Sequence, residues 1–278
     1  MELRTIVAAM DDSEVGRRAA ATAADLAARV GARLTILTVL PPSGTAETPP
    51  EWLLKQVRAV GRGVGTQPAV VTGLPGVEIP RYAEEHRADL IVIGRSRRSV
   101  AERMLVGDIA DAVARRSSVP CLFVPQTLPG MTRILAAVDG TERGFGVLIA
   151  ASDFAQAVHG RLRVLTVEPE RPDEEALGVA HLPDGRSARL SQTLDRLRLE
   201  QPVPWANWEP APGADRATAL VVRQGDPGAE IMEEVSAGNP DVLVFGYRRG
   251  GPPGMLEGKS VGRRLAHASP CATLTIPL

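Results

Sequence analysis

The chain has few cysteines, histidines and lysines. Its two cysteines, Cys121 and Cys271, lie 150 positions apart, which excludes a disulfide framework and a cysteine-rich zinc site. The four histidines, His86, His159, His181 and His267, share no metal-ligand spacing. Lysine occurs only at Lys55 and Lys259. Arginine carries the remaining basic charge, which together with heavy alanine, glycine and proline use reads as genome composition. The formal net charge is −1, so no blanket attraction draws the chain to nucleic acid or an anionic membrane. No apolar stretch approaches the ~20 residues of a spanning helix. The short apolar run of Met1–Met10 ends at Asp11-Asp12 and reads as neither signal peptide nor anchor. These absences predict a soluble, reduced, cytoplasmic protein that is not an enzyme built on a metal or cysteine centre.

The chain is written twice. Ile6-Val-Ala-Ala-Met-Asp11 returns as Ile134-Leu-Ala-Ala-Val-Asp139, and Leu34–Val39 returns as Leu162–Val167, both 128 positions later. Pro75-Gly76 returns as Pro227-Gly228, and Asp89-Leu-Ile-Val-Ile-Gly94 as Asp241-Val-Leu-Val-Phe-Gly246, now 152 positions later. Pro120-Cys121 returns as Pro270-Cys271. Ordered matches of this kind predict two homologous domains, 1–128 and 129–278, joined at Gln126–Gly130. The second copy carries an insertion at about 168–218.

Each copy alternates short, nearly continuous apolar runs with helical stretches. Strands are predicted at Thr5–Ala9, Leu34–Val39, Ala69–Thr72, Leu90–Ile93 and Cys121–Val124, as expected for strands buried on both faces. Helices are predicted at Glu14–Val30, capped by Gly31, at Val77–Arg87 and at Ile109–Arg116. Copy two repeats the scheme: strands Arg133–Val138, Leu162–Val167, Ala219–Arg223, Val242–Phe245 and Thr273–Ile276; helices Gly144–His159, Ile231–Ala237 and Val261–Ala268. The pattern is an α/β fold with an open, mostly parallel, doubly wound sheet. Ligands of such sheets sit beyond the carboxyl ends of the strands. There the first strand ends in Asp11-Asp12-Ser13 or Asp139-Gly140-Thr141, and the fourth ends in Gly94 or Gly246 and enters an arginine-rich loop.

The strand ending in Asp, the Gly225-Asp226-Pro227 turn, the Asp-Leu-Ile-Val-Ile-Gly strand and the closing Val119–Pro125 segment resemble the universal stress protein family, once per copy. The resemblance implies five-stranded parallel sheets of order 3-2-1-4-5, flanked by helices. It also implies that the two domains pair as an internal pseudo-dimer through their fifth strands, Leu122–Val124 against Thr273–Ile276, which would shield an apolar edge. It implies a role in stress tolerance. Family members that bind ATP carry a loop G-x2-G-x9-G-[ST], whose glycines let the backbone approach phosphate and whose helix start points amides at the anion.

Both loops depart from that pattern while keeping its spacing. Copy one reads Gly94, Arg97, Gly107-Asp108, and copy two reads Gly246, Arg249, Lys259-Ser260. Asp108 ~4 Å from a phosphate charge would repel it by roughly 4 kcal/mol at an effective dielectric of about 20, about a thousandfold in affinity, unless Mg²⁺ bridges them. As a helix N-cap it is well suited. The first copy is therefore expected to have lost family-type triphosphate binding. In copy two, Arg249, Lys259 and Ser260 either hold an anion or form a solvated basic loop with a serine cap. Gly258-Lys259-Ser260 resembles a P-loop tail, but the upstream glycine of that motif falls at Pro253. The nucleotide candidates are thus Asp139, Val167, Gly246, Arg249, Lys259 and Ser260. Their first-copy counterparts are Asp11, Val39, Gly94, Arg97, Gly107 and Asp108. The ligand implied is ATP or another adenine nucleotide with Mg²⁺. Asp11 and Asp139 also read as carboxylates held at the start of the next helix, beside Ser13 or Thr141 as cap.

The remaining candidates read as structural. His86, His159 and His267 fall near helix C-termini, where a cation is favourable. Cys121 and Cys271 read as small buried hydrophobes, and Glu84-Glu85 and Glu233-Glu234 as solvent-facing helix charges. In the insertion, Trp205 and Trp208 either anchor a long loop or meet a protein partner. Three functions follow in order: a non-catalytic stress-response module with degenerate nucleotide loops, an ATP-binding protein using copy two with or without slow hydrolysis, and a protein-interaction scaffold without nucleotide, with a homodimer or another protein as candidate partner. Fold alone does not choose among them.

Overall fold

The computed structural model describes residues 2–42, 48–61, 64–95, 109–168, 220–250 and 260–278. In chain order the elements are β1 (Thr5–Ala9), α1 (Glu14–Val30), β2 (Arg33–Leu40), α2 (Glu51–Val60), β3 (Thr66–Thr72), α3 (Pro75–Glu85), β4 (Leu90–Gly94), α4 (Ile109–Arg116) and β5 (Cys121–Val124). There follow β6 (Arg133–Ala137), α5 (Glu142–Ala157), β7 (Arg161–Glu168), β8 (Leu220–Gln224), α6 (Pro227–Gly238), β9 (Val242–Tyr247), α7 (Val261–Ala268) and β10 (Ala272–Pro277). Arg97, Gly107, Asp108, His181, Trp205, Trp208, Lys259 and all but the first residue of the insertion lie outside the described residues.

The chain forms two compact units. One gathers the described residues of Met1–Pro129 with those that follow from Tyr247 and with Cys271–Leu278; the other gathers those of Gly130–Gly246 and of the stretch from Gly258 to Pro270. In the first unit the strands run β3-β2-β1-β4-β5, all parallel, and β10 adds antiparallel beyond β5 with Leu274 opposite Leu122 and Thr273 opposite Phe123. The fifth strands of the two copies therefore pair, as the resemblance implied. In the second unit β8-β7-β6-β9 are parallel.

The central strands are apolar because helices cover both faces. Ile6, Val7, Ala8, Leu90, Ile91 and Val92 are fully buried in the first unit, as are Ile134, Leu135, Val242 and Leu243 in the second. Each fully buried aliphatic side chain contributes about 1.5–3 kcal/mol of transfer free energy. Helix α1 presents Ala19, Ala20, Ala23, Ala24 and Ala27 to the core, and these small side chains let it lie close to the sheet. Gly31 ends it at φ 69°, a left-handed cap that glycine adopts without strain.

The aspartate before the fourth strand works at the amino ends of the strands. Asp89 Oδ2 accepts from the amides of Arg4 and Thr5, both at 2.8 Å. Asp241 Oδ2 accepts from the amides of Thr132 and Arg133, both at 2.9 Å, while its Oδ1 takes the Arg133 guanidinium at 2.9 Å. This repeated feature thus clamps the start of β1 or β6, at the edge opposite the carboxyl ends of the strands.

Three local expectations change. Helix α2 was not predicted. Its only fully buried side chain is Leu53 and no side chain caps its start, so neither an apolar stripe nor a cap announces a helix. Glu234 does not face solvent: it is 2 % exposed and lies between Arg163 (2.9 Å) and Arg223 (2.8 Å). Its neighbour Glu233 is exposed, as expected. Cys121 is buried, whereas Cys271 is only half-buried. Burial pushes the Cys121 thiol up to about 12. Since the thiolate is the nucleophile, a maleimide at pH 8 should label Cys271 and leave Cys121 untouched until the chain unfolds. Equal native-state labelling of both, read by peptide mass spectrometry, would contradict this packing.

Candidate functional site

The strand order reverses between β1 and β4 in the first unit and between β6 and β9 in the second, so the carboxyl ends of those strands frame the candidate sites. Each copy builds the same turn there. In the first, the Ser13 amide (3.2 Å) and hydroxyl (2.5 Å) donate to Asp11 Oδ1, and the Ser13 oxygen accepts from the Gly16 amide at 3.0 Å as N-cap of α1. In the second, the Thr141 amide (3.1 Å) and hydroxyl (2.6 Å) donate to Asp139 Oδ1, and Thr141 caps α5 by accepting from the Gly144 amide at 3.2 Å. A side chain at Gly16 or Gly144 would run into that aspartate. The cap satisfies one orphan helix amide, and the carboxylate fixes the cap hydroxyl. Both aspartates are exposed to solvent.

Gly94 ends β4 against α1. A Cβ there would stand 2.6 Å from the Val15 carbonyl oxygen and 2.7 Å from its Cγ1, so this glycine is required by packing of strand on helix before any ligand is considered. Val39 and Val167 are half-buried at the ends of β2 and β7. Behind Asp11, the buried Thr38 hydroxyl donates to the Met10 carbonyl at 2.9 Å and ties the end of β1 to β2.

The two copies differ in charge at the helix that follows the arginine-rich loop. Helix α4 has Asp111 in its first turn, after Asp108 in the sequence. Helix α7 has no acidic residue in its first turn, and Ser260 caps it by accepting from the Arg263 amide at 3.4 Å. A second difference lies at the turn before α3 and α6. Asp226 caps α6 by accepting from the Ala229 amide at 2.9 Å and pairs with Arg264 of α7. The Arg264 guanidinium, helped by that amide, holds the Asp226 carboxyl below its usual value. In the first copy the same place carries Leu74, 65 % exposed, and its side chain caps nothing.

Of the second-copy candidates, Asp139, Gly246 and Ser260 fall in the second unit, whereas Arg249 falls in the first and is exposed. The histidines sit where helix ends favour a cation: His86 as C-cap of α3, stacked on Tyr82 with ring centroids 3.8 Å apart, His159 just past α5, and His267 in the last turn of α7. Among the described residues no three His, Cys, Asp or Glu side chains converge as a metal site, and no helix is long and apolar enough to cross a membrane.

Comparisons with known proteins agree with this architecture. The model of the universal stress protein family matches residues 2–125 and again 131–277. A universal stress protein of Methanocaldococcus jannaschii is 31 % identical over 138 residues, covering 44 % of this chain and 81 % of that protein. One from Mycobacterium tuberculosis is 25 % identical over 227 residues, covering 78 % of this chain and 70 % of that protein. The crystal structure of a universal stress protein from Archaeoglobus fulgidus superposes with a TM-score of 0.68 at 16 % identity, covering 98 % of this chain and 96 % of that one.

Proposed function

Because the chain belongs to the universal stress protein family and carries the family domain twice in tandem, we propose that it is a non-catalytic binding or signalling module of a stress response. In this reading the first nucleotide loop is lost and the second is redesigned for an anion. The observation that carries it is the difference between the two helix starts. Asp111 stands in the first turn of α4, which Asp108 precedes in the sequence, whereas α7, which Lys259-Ser260 precede, has no acid in its first turn. A helix N-terminus favours an anion when its first turn is free of carboxylates and loses that preference when it is not.

The Ser260 hydroxyl and the first amides of α7 are donors suited to a phosphate, and Lys259 precedes them in the sequence. Asp139 and Val167 stand at the ends of β6 and β7, where the adenosine end of an adenine nucleotide would lie. A bound Mg²⁺ would be held by the nucleotide's phosphates rather than by a cage of side chains. The engagement of Asp11 and Asp139 within their own caps supports a binding role over hydrolysis, since phosphoryl transfer needs a carboxylate for the metal and a group to orient the attacking water.

Calorimetric titration of the whole chain with ATP, with and without Mg²⁺, tests this reading. One site per chain is expected, weakened at least tenfold in Lys259→Ala, Ser260→Ala, with no phosphate release above background. Two sites, or steady turnover, would contradict it.

A further inference from the structure

The arginines that open the second loop are presented by a helix of the first copy. Tyr247 ends β9 and is 4 % exposed; its hydroxyl donates to Asp111 Oδ1 of α4 at 2.5 Å. Asp111 is itself 6 % exposed, and its Oδ2 takes the Arg115 Nε at 3.0 Å. Three residues after Tyr247, the Gly250 amide donates to the Arg115 carbonyl at 3.1 Å. Asp111 and Arg115 are one helical turn apart. Arg248 and Arg249 are therefore strung between two anchors on one face of α4, and both are exposed. Gly250 takes φ 76° at the second anchor, a conformation that side chains resist. The Leu278 amide closes the arrangement by donating to the Tyr247 carbonyl at 3.0 Å.

The first copy meets the second at the matching place. Arg95, which occupies the position of Tyr247 in the repeat, donates from its guanidinium to the Cys271 carbonyl at 2.8 Å. The start of each arginine-rich loop is thus pinned to residues contributed by the other copy, within one compact unit. Helix α4 thus directs a buried carboxylate and a C-terminal carbonyl at residues 247–250.

We infer that Asp111 is a positioning residue: through Tyr247 it fixes where Arg248 and Arg249 stand, so that a helix of the first copy sets the place of two exposed guanidiniums that the second copy's sequence supplies. The consequence for nucleotide affinity rests on the function proposed above; the positioning itself does not. A hydroxyl–carboxylate bond buried from water on both sides is strong enough to hold such a segment.

Tyr247→Phe keeps the ring and removes only the hydroxyl, and hydrogen exchange by NMR reads the result amide by amide. Exchange at Gly250 is expected to rise at least tenfold, while Asp89, whose amide donates to the Thr5 carbonyl at the far end of the same unit, exchanges as in the parent chain. Asp111→Asn should raise Gly250 exchange less, because an amide oxygen still accepts from Tyr247. Unchanged Gly250 exchange, or an equal rise at Asp89, would overturn the inference. In the same samples ATP affinity should fall about tenfold in Tyr247→Phe. A parent chain that binds no ATP removes the nucleotide reading and leaves positioning to be decided by exchange. ATP binding equally tight in the parent chain and in Tyr247→Phe, with Gly250 loosened, would overturn the part given to these arginines in nucleotide binding.

Discussion

Glu234→Ala should destabilise the chain by about 3–5 kcal/mol, the range for removing one partner of a buried ion pair. Arg163 lies in β7 with its side chain 7 % exposed and meets Glu234, 3 % exposed, at 2.9 Å. Arg223 of β8 meets the same carboxylate at 2.8 Å. Truncation takes that partner from a buried guanidinium, and breaking a buried ion pair from one side is strongly destabilising. Arg223 is less exposed to this loss, because Glu230 and Glu233 each lie 3.3 Å away.

The repeat supplies the control. The first copy has Thr35 where Arg163 stands and Tyr82 where Glu234 stands. The Gln67 amide donates to Thr35 Oγ1 at 3.1 Å. The same place between strand and helix thus carries neutral side chains in one copy and an ion pair in the other. Replacing both members, Arg163→Thr with Glu234→Tyr, should recover most of the loss, since buried ion pairs exchange for packed neutral groups at little net cost. Urea unfolding of the three variants measures this. A Glu234→Ala midpoint equal to that of the parent chain would mean that water reaches Arg163 and that the pair is not buried in solution.

Asp241→Asn should cost about 1–3 kcal/mol at pH 7 and flatten the acid limb of the stability curve. The Asp241 carboxyl is held below its ordinary value: burial pushes it up, but the Arg133 guanidinium and the amides of Arg133 and Thr132 together outweigh that. A carboxylate whose pKa is lower in the folded chain than the unfolded value of about 3.9 binds fewer protons when folded. Its contribution is therefore complete above about pH 4 and is lost as pH falls through the folded value. The variant has no carboxylate to protonate at this site. The gap between parent and variant should be widest at neutral pH and close below about pH 4. Parallel curves from pH 7 to pH 3 would show that Asp241 is not the group that titrates.

Strand positions were legible almost to the residue where burial was complete, and helix positions where a cap or the repeat marked them. Thr5–Ala9, Glu14–Val30, Ile109–Arg116, Cys121–Val124 and Val261–Ala268 occupy the spans the sequence predicts. A segment buried on both faces must be apolar throughout, and that demand is written in the residue types. Ser13, Thr141 and Gly31 were equally legible as caps, because capping depends on neighbours one to three positions away. Helix α2 and the buried Glu234 escaped detection for the complementary reason. One buries a single leucine fully, and the other is a charged residue whose partners lie 71 and 11 positions away.

Local chemistry and repetition were enough to settle that this chain is a duplicated, doubly wound α/β protein with unequal loops, since pattern, caps and repeats need no knowledge of the third dimension. Which copy each site residue works with was a different matter. Asp89 and Asp241 lie in the most recognisable strands of the repeat, yet folding turns them toward the amino ends of β1 and β6. Tyr247 belongs to the second copy in sequence and to the first in space, hydrogen-bonded to an aspartate 136 positions earlier. Residues so far apart meet only when the fifth strands pair, and that pairing brings Arg248 and Arg249 onto α4.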